Sequence, residues 1–253
     1  MLEKVWLSID YLFENINWSP VGATLYSIND KQRGYEIWER AASLIEKNEN
    51  QFDLTDGMTN LKKSINHRLK LIEKLYNFKK IVFPEKPKGY LQLLETYNVV
   101  RPYLMNTVME IRNRIEHDDS PPPDQKRCKE LVDMVWYLLK STDFLVTSLT
   151  DYFEFDIYDS NSNVTQYGGA VTLDHTNHEN IELSGWFPQK VISMEERNVF
   201  VCICIDSLRF GEMFNNTELH RDKLDTDLFI QGTINTKCFD YHRLICHLLT
   251  SES

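Results

Sequence analysis

Residues 111–123, IRNRIEHDDSPPP, set Arg112, Asn113, Arg114, Glu116 and His117 within six positions, and three prolines follow. An arginine forks onto phosphate oxygens, an asparagine orients a neighbouring group, and an imidazole titrates near neutral pH. Held in one corner, the three could grip a phosphodiester and move a proton at it. A straight helix keeps them apart: Arg112 and His117, five positions along, diverge by about 140° at 100° per residue. They converge if the helix ends between them. Pro121 to Pro123 predict such an end, because each residue before a proline is pushed out of helical geometry. His117 then stands at or just past a helix C-terminus, where the dipole favours its protonated form. The plainer reading is a solvated helix in which Arg112 and Glu116 form a surface ion pair worth only about 0.3 kcal/mol.

The pattern Arg112-Asn113-x-x-x-His117 resembles the signature of the HEPN superfamily, small helical domains in which the motif closes one long helix and another follows after a short loop. Residues 102–116 and 123–150 repeat that layout, and the likeness covers roughly residues 30–150. Asp119 stands where the subgroup paired with nucleotidyltransferase antitoxins carries a tyrosine. The resemblance implies a metal-independent endoribonuclease without a cofactor. A ribose 2′-hydroxyl attacks the adjacent phosphorus, leaving a 2′,3′-cyclic phosphate and a 5′-hydroxyl. His117 is then the general acid or base, Arg112 stabilises the transition state, Asn113 holds the register, and Glu116 is a possible auxiliary. One histidine per chain supplies either the acid or the base, so the resemblance also implies a homodimer through the helical domain. Toxin or anti-phage roles, with a regulatory or antitoxin partner, follow from the same likeness. The alternative is a non-catalytic HEPN-like dimerisation module that presents the rest of the chain to a partner.

The elements that must position these residues follow from periodicity. Leu2, Val5, Ile9, Leu12 and Ile16 step at helical spacing, as do Trp38, Ala41, Ala42 and Ile45. Met58, Leu61, Ile65, Leu69, Ile72 and Tyr76 make the clearest stripe. Pro102 suits a first helical turn. After the prolines a long helix runs to about residue 149, capped by Asp119 or Ser120. Near residue 151 the period drops to two, and IELSGWF, VFVCICI and LFIQGTI read as strands, with Gly168 and Gly169 as a turn or bulge and YHRLICHLL as a closing helix. The expected fold is α+β: a helical bundle over residues 1–150, then a smaller β-rich domain of unknown role over 151–253.

Charge bears on the RNA partner. The net charge is −10, which opposes casual nucleic-acid binding. Residues 61–90 nevertheless hold nine Lys and Arg against two Glu. Within them Lys63, His67, Lys70 and Lys74 form a ribbon opposite the apolar stripe, either a solvated face or a phosphate rail. His242 and His247, five apart on a helix, have poor spacing for a metal, and Asp174, His175 and His178 fall in an Asn-rich loop between strands, which argues against a metal site there too. Five cysteines without a CxxC, a charged N-terminus and no long apolar run point to a cytoplasmic chain with no membrane association.

Overall fold

The computed structural model describes residues 4–13, 16–25, 28–50, 52–117, 120–159, 161–211, 227–235 and 239–250. Two compact units emerge: residues 25–149, and residues 1–24 together with 150–253. The fold is α+β, but not a helical bundle followed by a small β domain. Strands begin at the N-terminus, and the helices interrupt one eight-stranded antiparallel sheet between its second and third strands.

The sheet comprises β1 (Lys4–Ser8), β2 (Ile16–Leu25), β3 (Ser148–Tyr158), β4 (Val164–Leu173), β5 (Ile181–Phe187), β6 (Ile192–Ser193), β7 (Phe200–Phe210) and β8 (Leu228–Ile234), in the order β2-β3-β4-β5-β8-β7-β1-β6. Leu2, Val5, Ile9 and Leu12 fit a helix by spacing, yet Val5 and Leu7 are both fully buried with Lys4 exposed, a period of two. Pairing decides the matter: Val5 lies opposite Ile203 and Leu7 opposite Val201. Pro20 is tolerated in β2 because that strand is the sheet edge, where every second N–H has no ladder partner to lose.

One face of the sheet is apolar. Phe153, Phe155 and Ile157 of β3 align with Val171, Leu183 and Ile230 on the strands beyond, all buried. Trp18 packs 4.9 Å from the Phe155 ring and 6.4 Å edge-on from His247 of helix α7 (Tyr241–Thr250). Gly168 and Gly169 are not a turn; they sit in mid-strand β4, and the β3–β4 register shifts just beside Gly168, between its pairing with Asp156 and that of Val164 with Tyr158. A side chain at Gly169 would drive into the carbonyl oxygen of Ser184, so close contact between coiled strands, rather than a reversal, requires glycine there.

The helical unit contains α1 (Ile28–Lys47), α2 (Asp53–Tyr76), α3 (Tyr90–Thr96), α4 (Pro102–His117), α5 (Gln125–Ser141) and α6 (Asp143–Thr147). The α2 stripe from Met58 to Tyr76 is buried throughout, each such side chain stabilising by about 1.5–3 kcal/mol. α5 starts later than its sequence suggests: Asp124 is the N-cap, accepting from the Arg127 N–H at 2.8 Å. Arg68, fully buried, joins α2 to α6. Both its terminal nitrogens donate to Asp143 Oδ1 at 3.0 Å. The second carboxylate oxygen accepts from the Tyr35 hydroxyl at 2.9 Å and pairs with Lys31 at 3.3 Å. Burial, then the bond to Asp143, pushes Tyr35 up to about 12, so it stays a donor. No helix among the described residues is long and apolar enough to cross a membrane.

Candidate active site

Helix α4 carries Arg112, Asn113, Glu116 and His117 at its C-terminal end. Pro102 opens the helix, and Met105, Val108 and Ile111 bury its inner stripe. The expected break between Arg112 and His117 is absent, since the helical backbone continues through His117. The helix runs through the point where a break was required, so the two backbone positions keep their helical divergence of about 140°. The side chains of Arg112, Glu116 and His117 lie outside the described residues.

The corner beyond the motif is tightly made. The Ser120 N–H donates to the Arg114 carbonyl at 3.3 Å, occupying one of the orphan acceptors of a helix end. Cys128 Sγ reaches the Pro123 carbonyl at 3.5 Å, tying the proline loop to the first turn of α5. Burial, then Asp124, pushes the Cys128 thiol up to about 11, so it is no nucleophile. Between the end of α4 and the start of α5 lies a pocket of about 550 Å³, with Thr107, Glu110, Arg114, Ser120, Pro121 and Arg127 in its wall. Arg127 is engaged there by Glu130 at 2.6 Å.

Asn113 is exposed, and its side-chain oxygen accepts from Lys62 Nζ of α2 at 2.9 Å. A lysine only donates, so the Asn113 amide NH₂ is left as the group that can donate onward. Lys62 is not in the ribbon picked out by sequence. Its signal was its place beside Leu61 and three before Ile65, at the margin of the buried stripe where α4 packs.

The ribbon itself is less positive than its sequence. Lys63 and Lys70 are exposed, but Lys74 lies 3.6 Å from Asp30. His67 is half-buried, and burial, then Arg68, holds its imidazole below the usual range, favouring the neutral form. Arg68, counted in the same basic stretch, is the buried partner of Asp143. Lys86 bonds the carbonyls of Lys79 and Ile81. Among the described residues, Lys63 and Lys70 are the ribbon cations that stay exposed without an ion pair.

The other histidines have structural employment. His175 is buried with Nε2 2.9 Å from the Thr150 carbonyl, and His178 stacks on Tyr241 at 4.6 Å. Asp174 accepts from the backbone and hydroxyl of Thr176, closing a turn. Among the described residues no three His, Cys, Asp or Glu side chains stand close enough to hold a metal ion.

Comparison with family models, with curated proteins and with solved structures gives no match.

Proposed function

We propose that the chain is a HEPN-type, metal-independent endoribonuclease that uses Arg112, Asn113 and His117. The observation that supports this most is the Lys62–Asn113 bond, which sets a cation of the basic helix α2 directly against the motif at the end of α4. A phosphodiester approaching this corner meets Lys62 and the exposed Lys63 before it meets the motif, so the substrate's charge is offset locally although the chain is acidic. Arg112 forks onto the non-bridging oxygens, and the free amide NH₂ of Asn113 donates to the same phosphate. His117 takes the 2′-hydroxyl proton or protonates the 5′-leaving oxygen.

The unbroken helix changes how the site closes. Two positions 140° apart on one helix do not address one phosphorus atom, so a second copy, packed through a two-fold axis against the end of α4, brings the complementary residue and the second histidine. Reaction in EDTA with mixed RNA tests this. Wild-type cleavage to cyclic-phosphate ends, lost in Arg112→Ala and in His117→Ala, supports the enzyme. An all-DNA strand, lacking the 2′-hydroxyl, should remain intact. Equal inactivity of the wild type and both variants would instead favour a non-catalytic dimerisation module, the reading that an unbroken helix also suits.

A further inference from the structure

On the solvent side of the sheet, away from α7, one row of paired positions runs Asp156, Gly168, Trp186, Phe229 and Arg209 across β3, β4, β5, β8 and β7. Neighbouring strands lie about 4.8 Å apart, so Asp156 and Trp186 face each other across roughly 10 Å with only a glycine between them. The gap is enforced. A Cβ at Gly168 would press into the Phe155 carbonyl, so no side chain can fill it. Glu154, two residues before Asp156, projects beside it, and both carboxylates are exposed with no ion pair among the described residues. The result is a groove of about 470 Å³ with a backbone floor, an indole on one side and two carboxylates on the other.

A guanidinium already sits on this face in the same manner, with Arg209 5.7 Å above the Phe229 ring, itself 5.6 Å from Trp186. The charge of the whole unit agrees. Residues 1–24 and 150–253 hold 20 acidic and 8 basic side chains, whereas residues 25–149 hold 18 and 20. We infer that this groove is a docking site for a basic polypeptide segment, one arginine or lysine of which enters the Gly168 notch between Trp186 and the Glu154–Asp156 pair. A flat cation stacks on the indole and donates to the carboxylates, a combination neither an acidic nor a neutral chain can supply. This site does not depend on the nuclease reading.

The test uses the full chain and a fluorescein-labelled peptide of alternating arginine and glycine, followed by anisotropy, with a glutamate–glycine peptide as control. The arginine peptide should bind and the glutamate peptide should not. Glu154→Gln with Asp156→Asn should weaken binding about tenfold, and Trp186→Leu about threefold. Glu195→Gln with Glu196→Gln removes the same formal charge from another exposed part of this unit and should leave affinity within about twofold. The inference is overturned if the wild type binds no peptide, or if both double variants lose affinity equally, which marks diffuse attraction to an acidic surface. It is likewise overturned if Glu154→Gln with Asp156→Asn only dissolves a self-dimer seen by sedimentation, since the groove then takes a second copy.

Discussion

Lys62 Nζ on α2 and Asn113 Oδ1 on α4 lie 2.9 Å apart, a bond that ties the basic helix to the motif's asparagine. Both residues sit at the surface, so the bond adds little to stability. Lys62→Met should therefore leave the thermal midpoint nearly unchanged. On the proposed function it should slow RNA cleavage about tenfold, by freeing Asn113 to rotate and removing a cation beside the phosphate. A melting curve and a cleavage time course on one preparation check both halves.

For the motif itself, His117→Ala should lower cleavage by about 10²–10⁴-fold, the usual contribution of positioned acid–base catalysis. Mixing His117→Ala with Arg112→Ala protein should restore part of the activity if the site is shared between two copies, because the heterodimer keeps one Arg112 facing one His117 and lacks the second histidine. Recovery in mixed but not in separate reactions is the expected result.

The Arg68–Asp143 pair governs stability rather than chemistry. Asp143→Ala strands a fully buried guanidinium and should cost about 3–5 kcal/mol. Arg68→Met combined with Asp143→Leu removes both charges and should fold more stably than Asp143→Ala alone. Urea denaturation of the three proteins, with the midpoints compared, settles the order.

Acid should loosen the β unit. Burial holds His175 below the usual histidine range, against the opposing pull of its bond to Thr150 and of Asp151 and Asp174. The unfolded chain therefore takes up the proton first. The stability tied to neutral His175 is fully present above about pH 6.5 and is lost as pH falls from there through the lower folded-state value. His242 and His247 of α7 are shifted in the same direction, also by burial. Urea midpoints should fall between pH 7.5 and 5.5, and His175→Gln should flatten that slope.

Much of the helical unit was legible in its sequence. The α2 stripe spans about five turns and every member is buried, because one helix face repeats its signal often enough to exclude other periods. The strands β5 and β8 were visible as short alternating or apolar runs. β1 was not, since five residues hold too few periods to separate a strand from a helix turn, and the partners that decide it, Ile203 and Val201, lie far along the chain. Gly168 and Gly169 misled for a related reason: the carbonyls that exclude a side chain there belong to β3 and β5, which no local pattern reveals. At the motif, residue types were legible but geometry was not. α4 runs unbroken through His117, and Lys62 enters through tertiary packing of α2 on α4.

The insertion of the helices between β2 and β3 also dictates an order of assembly. Synthesis delivers β1 and β2 before the helices, yet β1's neighbours β6 and β7 emerge only after the whole helical unit has left the ribosome. The helices, whose contacts close within residues 25–149, can finish folding while β1 waits unpaired. Translation halted at about residue 150 would thus release a complete motif-bearing unit on a protein whose sheet has never formed.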